Sequence, residues 1–456
     1  MEPRFQRRKE QLLDGCQVPP TLFDRVIDRP EDFAAPFAAS FPSPESRSHT
    51  RTYLAGLLSD VERKNAESIA YRYDLDRQVL QRFIGEVDWD QDPLIGELTR
   101  QVAGAIGRAD AVLVFDPSAF PKKGTASVGV QRQWCGRLGK VENCQVGVFL
   151  GYVGDAEHAL VDFRLYLPKE WAKDRTRRKR AGVPKEVKYR TRHELALEML
   201  QSRGGALPHG WVAGDDEMGR PAWFRRRLAE DEERYLLAVP SNTTIRDLEA
   251  EPPPYGGHGR RPTVPFRGAR AWCAALPGGA WTKLTVRDGE KGPLEVEIIA
   301  RRVESKVDRR VVGFEETLVV VRFEDGGVVK HDFYLSNAAC DTPLSEFARV
   351  VKAAHRVEEC LKRSKSEAGL GEYQVRNWRG WHHHMALSLI ATWFLAVEAR
   401  RGKKAGPGAE CAAGADGPGA DPAPGQRLRR AEPGGAGANA PAGAKRVGAV
   451  LPLQGT

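Results

Sequence analysis

The tightest constraint on the fold lies between residues 106 and 245, where short β-forming runs alternate with helical ones. AVLVF (111–115), CQVGVFLGYVG (144–154), ALVDFRLYLP (159–168), WVAG (211–214) and YLLAVP (235–240) read as strands. HELALEMLQ (193–201) and PAWFRRRLAE (221–230) read as helices, the second opening with a proline that suits a first helical turn. Such alternation predicts an α/β fold with a sheet flanked by helices. Two of the strands stop on an acid: AVLVF runs into Asp116 and WVAG into Asp215. In an open α/β sheet, side chains at strand ends gather along one edge.

The flanking regions differ in kind. Residues 1–105 read as helical, and the apolar spacing over 52–85 breaks near Tyr73–Asp76. Two short helices joined by a tight turn are the pattern of a helix-turn-helix, which predicts a DNA-binding region. Residues 246–325 are rich in Pro, Gly and β-formers and predict a β-rich insertion, with hairpin turns at Asp288-Gly289 and Asp325-Gly326. Residues 326–401 return to the α/β pattern: HDFYLSN (331–337) is a strand, and 344–365 and 382–400 are helices. Residues 402–456 are Gly, Ala and Pro with few large apolar side chains, so disorder is expected there.

Charge points to a partner. The chain carries 70 basic and 61 acidic residues. The excess is concentrated in residues 169–192, with eleven Lys or Arg against three acids. That segment predicts salt-sensitive phosphate contact through Arg177, Arg178, Lys179 and Arg180. The seven cysteines form no CxxC pair, which argues against a disulfide framework or a zinc ribbon and for a reducing, cytoplasmic compartment. The apolar run 385–397 is too short to span a bilayer and ends at Glu398, so it reads as a buried helix with no membrane role.

A third acid, Glu358, lies in the long helix after the last strand, which can present it to the edge that holds Asp116 and Asp215. Three crowded carboxylates repel one another unless cations sit between them, and oxygen-only ligands suit Mg²⁺ or Mn²⁺. Two such ions about 4 Å apart clamp the attacking and leaving oxygens of a phosphodiester displacement.

FDPSAFPKKG (115–124), GDDEMG (214–219) and Glu358 with Lys365 seven residues on resemble the three motifs of the DDE transposases of bacterial insertion sequences. The third motif is of the kind found in relatives with a β-strand insertion between the second Asp and the Glu. EAGLGEYQVRNWRGWHHH (367–384) resembles one subgroup of that family. The chain departs from the pattern at Met218, where a tyrosine is usual, and at Val351 and Ala354, where the third motif carries tyrosine and arginine. Glu359 and Glu367 are the rivals for the third acid. The resemblance implies a ribonuclease-H-like mixed sheet, catalytic and metal-binding roles for Asp116, Asp215 and Glu358, and two Mg²⁺ ions, with Mn²⁺ as a substitute. It also implies cleavage at transposon ends, strand transfer of the 3′-hydroxyl into target DNA, and a homo-oligomer in the nucleoid when two ends are paired. The alternatives are a non-catalytic DNA-binding derivative and a plain metal-dependent nuclease.

Further DNA contacts are expected from Lys122 and Lys123 in the turn after Asp116 and from Arg132 in the segment 128–145, which also carries Arg137 and Lys140. Arg356 and Lys365 flank Glu358 and are expected to hold phosphate. Trp171 is expected to pack, with base stacking as the alternative. His382, His383 and His384 point about 100° apart on a helix and cannot share one metal, leaving DNA contact or helix capping as their expected roles.

Overall fold

A computed structural model describes residues 24–405, apart from 27, 156, 290–291 and 307–312. Most of the tail read as disordered lies outside the described residues.

Among the described residues, five helices come first: α1 (Arg29–Ala38), α2 (Pro44–Leu58), α3 (Ala66–Arg72), α4 (Arg77–Gly85) and α5 (Asp92–Ile106). Their starts follow local chemistry. Asn65 accepts the Glu67 and Ser68 amides at the head of α3, and Asp76 accepts the Gln78 amide at the head of α4. The four residues between α3 and α4 are those where the helical spacing breaks. α4 buries Leu80, Phe83 and Ile84 along one face.

The next elements are β1 (Val112–Pro121), β2 (Gln131–Cys135), β3 (Lys140–Gly154), β4 (Glu157–Leu165), α6 (Lys169–Lys173), α7 (Arg175–Arg180), α8 (Arg192–Arg203), β5 (Trp211–Gly214), α9 (Asp216–Gly219), α10 (Ala222–Glu230) and β6 (Tyr235–Val239). The insertion contributes β7 (Thr244–Asp247), β8 (Arg267–Gly268), α11 (Ala269–Ala274), β9 (Thr282–Gly289), β10 (Gly292–Ser305) and β11 (Phe314–Asp325). β12 (Val328–Ser336), α12 (Leu344–Glu367) and α13 (Trp378–Ala405) complete the chain. The turn between β11 and β12 is Gly326–Gly327, one residue beyond the expected pair.

All the strands belong to one sheet, ordered β2-β3-β1-β5-β6-β12-β11-β10-β7-β8, with β4 also paired to β3 and β9 to β10. Its heart is β4-β3-β1-β5-β6. β3 runs antiparallel to both of its neighbours, β4 and β1, and β5 and β6 run parallel to β1. This is the ribonuclease-H-like arrangement. The insertion extends the same sheet, because β12 pairs antiparallel with β6.

β1 corrects one expectation. It does not end at Asp116 but continues to Pro121. Its parallel pairing with β5 stops at Phe115↔Gly214, while the antiparallel pairing with β3 continues from Asp116↔Phe149 to Pro121↔Cys144. Beyond Phe115 the strand has one neighbour, and there a proline such as Pro117 costs little.

α12 lies across the sheet through Val357. A Cβ on Gly151 of β3 would stand 2.5 Å from the Val357 side chain, so glycine at this position lets the helix settle against the strands. α13 fills the remaining core. Trp381, Met385, Leu389 and Ile390 are fully buried along it, each worth roughly 1.5–3 kcal/mol of apolar burial. Among the described residues, no helix is long and apolar enough to cross a membrane.

The histidine triplet is part of this core rather than a DNA contact. His383 Nδ1 and Nε2 lie 2.9 and 2.8 Å from the Ile84 and Trp89 carbonyls. His384 Nδ1 meets the Tyr53 hydroxyl at 2.9 Å. Burial lowers all three rings, to about 3 for His382 and about 4 for the other two, with the two carbonyls around His383 opposing the shift in that ring. His383 and His384 tie α13 to the N-terminal helices, while His382 Nδ1 lies 2.9 Å from the Trp378 carbonyl of its own helix.

Candidate active site at the β1–β5 edge

The parallel register pairs Phe115 with Gly214, so the next residue on each chain, Asp116 within β1 and Asp215 just past the end of β5, comes to the same edge of the sheet. Asp215 leaves the strand as the N-cap of α9, where its carboxylate accepts the Met218 amide at 3.0 Å. Met218 and Gly219 are buried behind it. A Cβ on Gly219 would stand 1.9 Å from the Ala238 carbonyl, so the chain can pass this point only as glycine. The GDDEMG motif thus turns β5 sharply into α9 and fixes Asp215 at the lip.

The two carboxylates are electrostatically poor in this setting. Burial pushes Asp116 up to about 6; Lys365 opposes the rise, while Glu358 and Glu217 add to it. Desolvation pushes Asp215 up to about 7; the Met218 amide opposes, and Asp116, Glu217 and Asp216 add to it. Asp215 keeps solvent on one side, which screens its repulsion from Asp116.

Glu358 is exposed on α12, the residue after the buried Val357, and its charge reaches both Asp116 and Lys365. Lys365 lies two helical turns on and donates from Nζ to Ser118 Oγ at 2.6 Å. Ser118 is two residues past Asp116 on β1 and so shares its face. Burial lowers the Lys365 ammonium, and Asp116 pulls it back up. The rival acids are otherwise placed. Glu367 pairs with Arg363 at 3.3 Å at the end of the helix, and Glu359 is exposed about 100° around it from Glu358.

The donor set is oxygen-only, and a cation would offset the desolvation, and with it the lesser repulsion, that raises the two aspartates, so these residues fit a hard divalent ion. Among the described residues, no three Asp, Glu, His or Cys side chains stand together closely enough to hold an ion as they lie. The aspartate pair is in place, with Glu358 alongside in its electrostatic field.

The expected DNA contacts divide into two groups. Lys123, Arg132, Lys179 and Arg180 are exposed. Lys122 turns inward: its ammonium lies 3.4 Å from the centre of the Tyr373 ring and donates to the Tyr373 carbonyl, and burial lowers it to about 8. Arg178 donates to the Pro184 and Val187 carbonyls, both at 2.7 Å, and so staples its own loop. Arg177 stacks over Trp171 at 3.9 Å and donates to the Thr125 carbonyl. Trp171 is buried and donates to the Val130 carbonyl, which settles it as packing. Arg356 is half-buried on α12.

Two features escaped the sequence. Arg192 grips both Glu217 oxygens at 2.6 Å and the Gln133 amide oxygen at 3.1 Å, tying the Asp215 turn to β2. Arg225 on α10 holds the Gly219 carbonyl and pairs with Glu316 of the insertion at 2.8 Å. Glu217 stands within the motif and could have been suspected; nothing near Glu316 marks it.

A ribonuclease-H-like sheet with one aspartate in β1 and a second at the turn after β5 defines the acid-site class of such folds. Residues 36–293, more than half of the chain, match the model of the DDE superfamily endonucleases, and the chain belongs to that family. The matched span contains Asp116 and Asp215; Glu358 lies beyond it. The chain is also 28% identical over 223 residues to the probable transposase for insertion sequence element IS701 of Microchaete diplosiphon. That match covers 48% of this chain and 55% of the relative, so the chain spans about half the length of the curated relative it matches.

Proposed function

We propose that this protein is an insertion-sequence DNA transposase that cuts the ends of its element and joins the freed 3′-hydroxyl to target DNA. The observation that carries the reading is that Asp116 in β1 and Asp215, in the turn just after β5, come to one edge of the sheet, both held above the usual carboxylate range, with Glu358 and Lys365 in the same field. The name of the IS701 relative supports the same reading.

Asp116, Asp215 and Glu358 would hold divalent cations, Mg²⁺ or Mn²⁺. When bound, such ions supply Lewis-acid stabilisation of the attacking and leaving oxygens of the phosphodiester. Lys365, braced by Ser118, places a cation beside Asp116 for the phosphate next to the scissile bond. Lys123 in the turn after β1 and the exposed Lys179 and Arg180 on α7 lead the duplex away from the acids by sequence-independent phosphate contact. Arg177 joins these two segments through the Thr125 carbonyl. The α3–turn–α4 unit is the region we assign to recognition of the terminal repeats, and pairing of two ends calls for a homo-oligomer.

The test is a two-part assay with duplexes carrying the inverted repeats that bound the element. Mg²⁺-dependent nicking at the repeat end and joining of pre-cut 3′-hydroxyl ends to a plasmid are expected. Nicking without joining would reduce the protein to a nuclease, and binding without either would make it a DNA-binding derivative.

A further inference from the structure

The β2–β3 hairpin carries a surface that the acid site does not explain. Trp134 is 44% exposed, Leu138 44% and Val141 50%, although tryptophans such as Trp171, Trp211 and Trp381 are buried core residues. Trp134 and Val141 are directly opposite each other in the ladder, and Leu138 is in the turn between the strands. Exposed Arg132, Arg137 and Lys140 surround this apolar tip; Glu142, paired with Lys140 at 3.4 Å, is the one acid between Gln131 and Asn143.

The hairpin lies close to the chemistry. The turn Gly136–Leu138 bends back to within 8 Å of β1, measured between Cα atoms. Arg137 is near enough to Lys365 to repel it. Gln133 is tied through Arg192 to Glu217, next to Asp215. The register also puts Arg132 and Trp134 on the Asp116 face of the sheet. They pair with Asn143 and Val141 of β3, whose parity is that of Phe149, the partner of Asp116.

An apolar ring among cations, beside a site that takes a phosphodiester, matches a nucleotide whose base is out of the duplex: the ring stacks on the base and the cations take the phosphates. We propose that the β2–β3 hairpin tip is the stacking platform for an unpaired base next to the scissile phosphate, with Trp134 as the stacking ring and Arg137 and Lys140 on the flanking phosphates. The proposal rests on the transposase reading above and makes Trp134 a positioning residue for cleavage.

The test compares wild type, Trp134→Ala and Trp134→Phe on two terminal-repeat duplexes, one fully paired and one with the bases at the cleavage point mismatched. Both carry 2-aminopurine next to the scissile phosphate. Trp134→Ala is expected to cut the paired duplex roughly 5- to 100-fold more slowly, to regain most of that loss on the mismatched duplex, and to lose the quenching of 2-aminopurine that wild type shows. Trp134→Phe is expected to retain both properties. Equal loss on the two duplexes, unchanged quenching in Trp134→Ala, or a change of oligomeric state as the variant's main effect would overturn the proposal. Failure of wild type to cut either duplex would instead overturn the transposase reading. Val328→Ser, at an exposed position on the distant β12 hairpin, is the control and should behave as wild type.

Discussion

Glu316 on β11 and Asp116 on β1 are both carboxylates set into the same sheet, and their surroundings differ in kind. Glu316 is fully buried against Arg225, which is 3% exposed, and it accepts hydrogen bonds from Arg225 Nε at 2.8 Å, from the Tyr235 hydroxyl at 2.7 Å and from Ser305. Asp116 has Lys365 on one side and the like charges of Glu358 and Glu217 on the other. A buried charge that only supports structure is surrounded by enough donors to neutralise it. A charge kept for ligand binding is left short of them. The two clusters are nevertheless joined, because Arg225 also holds the Gly219 carbonyl at the end of the turn that begins with Asp215.

The contrast can be broken in several ways. The largest expected effect is on cleavage. Asp116→Asn, Asp215→Asn and Glu358→Gln should each slow nicking by about a thousandfold or more, roughly 4 kcal/mol of barrier, while DNA binding in a mobility-shift assay stays intact. Glu367→Gln should cut at nearly the wild-type rate, since that residue pairs with Arg363. A dead Glu367→Gln with an active Glu358→Gln would exchange their roles.

Next is the structural cluster. Glu316→Ala leaves a buried guanidinium without its carboxylate and should destabilise the fold by about 3–5 kcal/mol in urea denaturation. A loss below about 1 kcal/mol would show that the pair is not sealed from solvent.

Asp116 should respond in the opposite sense. Its folded pKa, about 6, lies above the ordinary carboxyl value of 3.8, so its contribution to stability is fully present below about pH 4 and is lost as pH rises through 6. Without metal, Asp116→Asn should therefore gain stability over wild type between pH 4 and pH 8, by about 1–3 kcal/mol. Urea midpoints at the two pH values measure this, and a difference that does not change with pH would remove the crowding on which the reading rests.

The smallest effect belongs to the basic segment. Lys179→Ala with Arg180→Ala should flatten the slope of log binding constant against log salt by about 2. Arg178→Ala should change stability more than that slope, because its guanidinium is committed to the Pro184 and Val187 carbonyls.

The sequence showed the α/β core and the first two acids because each depends on local pattern: apolar runs that end on aspartate, and a glycine that lets β5 turn into α9. It misplaced the end of β1, because pairing beyond Asp116 is decided by β3, thirty residues away. Lys122, Arg178 and the histidine triplet were read as DNA contacts or, for the histidines, as a helix cap; Lys122 and His384 instead meet Tyr373 and Tyr53 from distant segments, and Arg178 turns back on Pro184 and Val187 in its own loop. Trp134 was passed over inside a stretch noted for its cations, since exposure of a single ring has no local signature. Glu316 was invisible for the same reason as its partnership: Arg225 meets it only when the insertion closes onto β6.

The most direct measurement is Mn²⁺ binding by the complex of the protein with terminal-repeat DNA, followed by water-proton relaxation. Wild type should retain Mn²⁺, and Asp116→Asn and Asp215→Asn should lose it while still holding the DNA. Undiminished Mn²⁺ binding in both variants would place the metal elsewhere and contradict the account.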